Sequence, residues 1–160
     1  MKIVRPPAKI DVAGRAFAIF LGGSTWTNWR KGVWRHLRYR YKGIDGVVID
    51  PVRDDWRSTW PDSGDSDYVD QVRWEHGGID VADIVVVNFG HVFAMLSMVE
   101  LGIALRKEFG EVLIGCEPGH PTRGYFETLA RLYSNVWLAC DGHIAPVLDN
   151  IIDMFLEDIG

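Results

Sequence analysis

The sequence predicts an α/β fold: a doubly wound, five-stranded parallel sheet between helical layers, a three-layer sandwich of the flavodoxin or Rossmann-like kind. Two observations lead there. Short apolar runs rich in β-branched residues alternate with longer stretches of helical period. A chain of 160 residues that is 48% hydrophobic also suits one compact core and shows neither disorder nor a fibrous repeat. Residues 1–160 are expected as one domain, with a short N-terminal arm over 1–15.

In chain order, the expected strands are Ala16–Leu21, Gly46–Asp50, Ile84–Asn88, Val112–Cys116 and Val136–Cys140. The runs are apolar throughout rather than alternating, as strands covered on both faces require. Between them the spacing of apolar residues predicts helices over Asn28–Arg38, Tyr68–Ala82, Ser97–Phe109 and Arg123–Tyr133, with a last amphipathic one over about Ile144–Glu157. In such a sheet ligands bind beyond the carboxyl ends of the strands, where the strand order reverses. The loops after the first four strands, and Asn88 at the end of the third, are therefore the places to look.

Composition narrows the function. A net charge of -5 and a pI near 5.5 argue against a broad basic surface for duplex nucleic acid. The one basic cluster, Arg30 through Lys42 with Trp34, Tyr39 and Tyr41 interleaved, reads as a solvated helix face. Cys116 and Cys140 form no C-x-x-C pair, which fits a reducing cytoplasm. Pro6, Pro7, Lys9 and Asp11 interrupt the N-terminal apolar residues, so neither a signal-peptide core nor a membrane span is expected. The five histidines are scattered, with no metal-binding spacing, and neither a metal nor another cofactor is expected. His91 and His120 fall on crevice loops as polar contacts.

Four stretches carry candidate chemistry. Gly22-Gly23-Ser24 ends a buried strand and leads to a helix, so its backbone can approach a ligand, although a tight turn alone would need the same residues. Ser97-Met98-Val99-Glu100 has the spacing of a capping box; alternatively, Glu100 in a first helical turn stays ionised at the crevice and can attack an anomeric carbon. Glu75 shares a helix face with Tyr68, Val72, Ile79 and Ala82. Burial there would raise its pKa and let it pass a proton to a departing base, unless a backbone N–H or an arginine such as Arg53 merely satisfies it. Finally, Asp50-Pro51-Val52-Arg53-Asp54-Asp55-Trp56 places a guanidinium, acids and an indole in one loop, a set suited to a base or sugar. Trp26, Trp29, Trp60 and Trp74 near the same crevice also point to an aromatic ligand.

Taken in order, Phe20-Leu21-Gly22-Gly23-Ser24, Asp50 through Trp56, Gln71-Val72-Arg73-Trp74-Glu75 with Ala82-Asp83, and Glu100-Leu101-Gly102 make this chain resemble the nucleoside 2-deoxyribosyltransferase superfamily, from about Ala16 to Tyr133. The resemblance implies that Glu100 is a nucleophile and Glu75 a proton carrier. Phe20, Gly22, Gly23, Ser24, Arg53, Asp55, Trp56 and Asn88 would then hold the substrate, a nucleoside or nucleotide, with a free base as acceptor. It also implies a homo-oligomer, a dimer or higher, for which the Ile144–Glu157 helix is the expected contact. Three positions depart from the family pattern: Phe20 replaces a tyrosine, Ala94 replaces an aspartate that holds a sugar hydroxyl, and Tyr125 follows Arg123-Gly124 where an asparagine is usual. Two other functions compete. One is hydrolysis of a 2′-deoxynucleoside 5′-monophosphate, which basic or N–H groups near the first loop would favour; the other is nucleotide sensing without turnover.

Overall fold

The structure, a computed structural model, describes residues 1–25, 27–53, 66–92 and 94–159. Among the described residues eleven elements follow one another: β1 (Lys2–Val4), β2 (Phe17–Gly23), α1 (Trp29–Arg40), β3 (Gly46–Ile49), α2 (Ser66–Val81), β4 (Ile84–Gly90), α3 (Met95–Ala104), β5 (Glu111–Cys116), α4 (Arg123–Leu132), β6 (Val136–Ala139) and α5 (Ile144–Ile159). The strands form one parallel sheet in the order β1-β3-β2-β4-β5-β6.

The α/β class and the parallel sheet are as the sequence predicts, but the sheet has six strands rather than five. The addition is β1, within the stretch expected as an arm. Its three residues are too few to show a period, and they become a strand by pairing with a partner distant in sequence, Ile3 opposite Val48. Arg5 follows, with Nε and Nη2 donating to Asp50 Oδ2 at 3.0 and 2.8 Å. That ion pair fastens the N-terminal segment to the carboxyl end of β3.

Strand alternation divides the core. Phe17, Ile19 and Leu21 of β2 pack with Val33 and Leu37 of α1 and with Leu148, Ile151 and Ile152 of α5. Ala18 and Phe20 point the other way, toward Ile79 of α2, Leu101 of α3 and Phe126 of α4. Helices thus cover both faces, which explains why β2 and β4 are apolar almost throughout. The apolar stripe of α5 is used on its own sheet, with Ile144, Leu148, Ile151 and Ile152 all buried. None of the helices among the described residues is long and apolar enough to cross a membrane.

From β2 the chain passes to β3 on one side and later to β4 on the other, so the strand order reverses around β2. The crevice predicted for a doubly wound sheet therefore lies at the carboxyl ends of β2 and β4, where Gly23 pairs with Asn88.

Candidate active site

Glycine makes the close approach of these two strand ends possible. Gly23 has φ +111°, and a Cβ there would lie 2.5 Å from Asn88 N and 2.7 Å from its carbonyl carbon. Ser24 N–H donates to Asn88 O at 2.8 Å, continuing the ladder past the strand. Asn88 Oδ1 accepts from Gly90 N–H at 3.1 Å, so the amide is oriented by its own turn. Gly22 faces the other element of the site, since a Cβ there would sit 3.0 Å from Glu100 Oε2 and 3.1 Å from Phe20 Cε1.

Glu100 reaches this point from α3, where its Oε2 accepts from Gly23 N–H at 3.0 Å. The expected capping box is not formed. The helix begins two residues earlier than predicted, at Met95, with Ala94 at the cap and no side-chain capping bond. Ser97 is the third helical residue and buried, and Glu100 is the sixth, in the second turn rather than the first. The capping role is thus removed and the contact with the first loop stands in its place. Burial raises the Glu100 pKa to about 7, with Glu75 adding to the rise and the Gly23 N–H and Arg30 opposing it.

Glu75 lies on the inward stripe of α2, beside buried Gln71, Gly78 and Ile79. Burial raises its pKa too, against the pull of Gln71, His76 and Arg30. Its hydrogen-bond partner is a side-chain amide, where the sequence suggested a backbone N–H or Arg53. Gln71 Nε2 donates to Glu75 Oε1 and to Pro51 O, each at 2.8 Å, which ties α2 to the end of β3. Asp83, eight residues after Glu75, is a structural residue, because its Oδ2 accepts from Ala18 N–H at 2.7 Å at the start of β2.

Arg30 is the residue that sequence reasoning placed wrongly. It is 6% exposed, unlike Lys31, Arg35, Arg38, Arg40 and Lys42, which do form a solvated face. Its Nε, Nη1 and Nη2 donate to Leu21 O, Ser24 O and Gly23 O at 2.9, 2.8 and 2.7 Å. Asp50 is 3.8 Å from Nε, and the guanidinium carbon sits 4.7 Å from the Trp29 ring centre. Burial lowers the Arg30 pKa, while Asp50, Glu100 and Glu75 raise it, so one cation lies in the field of three carboxylates. The signal was present in the sequence, because Arg30 lies on the stripe of Val33 and Leu37, both buried.

The remaining candidates separate into four groups. Ser24 and Asn88 line a cleft of about 260 Å³ with Trp29, His91, Glu117 and Gly142 among its walls. Arg53 lines a different cavity of about 420 Å³ with Pro6, Pro7, Gln71 and Trp74. Asp55 and Trp56 lie outside the described residues, as do Trp26 and Trp60. Phe20, expected to touch the substrate, is fully buried because it points into the core beneath Gly22, against Ile79 and Gly78. It supports the site from behind. His120 is also buried, donating from Nε2 to Val92 O at 3.1 Å while Nδ1 accepts from Thr122 Oγ1 at 2.9 Å, which joins the loop before α3 to the loop before α4. Cys116, at the end of β5, has its pKa pushed up to about 12 by burial and by Cys140, which makes it a poor nucleophile. Among the described residues no group of His, Cys, Asp and Glu is arranged to hold a metal ion.

A search of curated proteins finds no match for the chain. The family model described as nucleoside 2-deoxyribosyltransferase like matches residues 16–120, a span that begins just before β2 and takes in Gly22, Gly23, Arg30, Glu75, Asn88 and Glu100. That match covers more than half of the chain, and its sequence order brings the same residues together at the switch point of the sheet: the chain belongs to the nucleoside 2-deoxyribosyltransferase-like family.

Proposed function

We propose that this protein cleaves the N-glycosidic bond of a 2′-deoxynucleoside and transfers the sugar to another base, with Glu100 as nucleophile. The observation that carries the reading is the buried Glu100 carboxylate, fixed by Gly23 N–H at the carboxyl edge of the sheet. Its Oε atom attacks C1′ as the C1′–N bond breaks and the bond electrons go to the departing base nitrogen. The product is a glycosyl ester. A second base, or water, then attacks C1′ from the opposite side and returns the carboxylate.

Glu75 is assigned to proton transfer. Its pKa is raised by burial, so it holds a proton at higher pH than an exposed carboxyl, and Gln71 fixes its position. Replacing it also changes the nucleophile: Glu75→Gln removes a charge that raises the Glu100 pKa, so the acid limb of the kcat/KM profile should move to lower pH. An unmoved limb would count against this coupling. The chain is also proposed to act as a homo-oligomer. Met95, Leu96 and Val99 of α3 are 73%, 73% and 55% exposed beside the nucleophile, whereas α5 uses its apolar stripe internally. We assign the contact to α3, and Leu96→Glu should lower the sedimentation mass.

The deciding experiment is chromatography of the purified protein with a panel of 2′-deoxynucleosides, with and without a second free base, and with Glu100→Ala as control. New nucleosides formed by the wild type alone support transfer. Free base without acceptor marks a hydrolase instead, and ligand-induced melting shifts without turnover mark a sensor.

A further inference from the structure

We propose that Glu117 is a specificity-determining residue, one that makes the wall of the cleft over Asn88 accept an uncharged, hydroxyl-bearing end of the ligand and refuse a phosphate. This rests on the cleft being the substrate site of the function proposed above.

Glu117 is held in place by its backbone. Its N–H donates to Gly90 O at 2.8 Å, and its carbonyl accepts from His120 N–H at 3.0 Å. On one side His91 Nδ1 lies 3.5 Å from Glu117 Oε1, and on the other a Cβ at Gly142 would lie 4.0 Å from Glu117 Cγ. The carboxylate is thus bracketed between two turns at the cleft wall, and half of its side chain remains exposed to a ligand.

The rest of the described wall sets no lysine or arginine against that charge. Among these described residues His91 is the basic side chain, and its Nδ1 already lies against Glu117. Several of the wall's backbone donors are already committed: Ser24 N–H to Asn88 O, Gly90 N–H to Asn88 Oδ1 and Val92 N–H to Phe89 O. Arg30, which is buried, directs Nε, Nη1 and Nη2 at carbonyls. A dianion would therefore meet the Glu117 carboxylate with no lysine or arginine beside it, an arrangement that costs affinity. A sugar hydroxyl, by contrast, can donate to Glu117.

The test measures binding without chemistry. In a Glu100→Gln background, calorimetric titration with the four common 2′-deoxynucleosides and their 5′-monophosphates should show each monophosphate binding at least about tenfold more weakly than its nucleoside. Adding Glu117→Gln should shrink that ratio several-fold, and Glu117→Lys should reverse it, with thermal melting confirming that both variants fold. Equal or tighter binding of monophosphates before Glu117 is changed would overturn the proposal. So would a ratio insensitive to Glu117, or an absence of binding by both classes. Because turnover plays no part in this readout, failure of the glycosidic reaction is detected separately by the product chromatography.

Discussion

Replacing Glu100 by glutamine should make the protein relatively more stable as the pH rises, and the size of the effect follows from burial. The Glu100 pKa rises from 4.5 to about 7 on folding. A carboxyl that binds its proton more tightly in the folded state contributes stability that is fully present below the unfolded pKa and is lost as pH rises through the folded one. Each pH unit between the two values is worth about 1.4 kcal/mol, so the complete loss is about 3 kcal/mol. Between pH 5 and pH 8, partial titration at both limits leaves about 2.5 kcal/mol of it. That is a substantial part of the roughly 5–15 kcal/mol by which domains are stable. Glutamine keeps the shape and cannot ionise. Urea unfolding of both proteins at pH 5 and pH 8 should therefore show the wild type losing about 2.5 kcal/mol more than Glu100→Gln over that interval. The variant should also lose glycosidic cleavage. Stability curves that run parallel within about 0.5 kcal/mol would refute the claim that folding buries an ionisable carboxylate here.

Two further substitutions test the frame around it. Arg30→Met removes the guanidinium from the carbonyls of Leu21, Gly23 and Ser24 and from the field of Glu100, while Arg5 still pairs with Asp50. It should cost about 3–5 kcal/mol in urea unfolding and move the acid limb of the rate profile to higher pH, and a loss below about 1 kcal/mol would contradict the role given to Arg30. Gly23→Ala should cost about 2–5 kcal/mol, combining the strain of φ +111° with a collision against the Asn88 backbone. Gly14→Ala is its control, since Gly14 has φ +69° with nothing within 4 Å of an added Cβ. It should cost only about 1–2 kcal/mol, and equal losses at both positions would show that the collision contributes nothing.

The strand runs were legible because strands covered on both faces are apolar whatever their partners are. Helix ends were less so. The Ser97-x-x-Glu100 spacing satisfies a capping rule, yet the helix starts at Met95, and Ser97 is buried inside it. Local spacing could not rank a capping bond against the contact between Glu100 and Gly23, because the latter joins residues 77 positions apart. The same holds for Lys107, beyond the true end of α3, whose ammonium donates to Ile79 O at 2.7 Å and to Ala82 O just past the end of α2.

By itself the sequence determined the class of fold, the order of its helices and of five of its six strands along the chain, and the carboxyl edge of the sheet as the place to look for a site. These depend on period and composition, which are local properties. It also singled out Glu100 and Glu75 as carboxylates whose positions needed a reason. Tertiary structure alone decided that Lys2–Val4 is a strand and that Glu75 is held by Gln71. It also set Glu117 opposite His91. Each of these depends on a partner brought close by folding, and the desolvation that raises the pKa of both glutamates exists only once the helices have closed over the sheet.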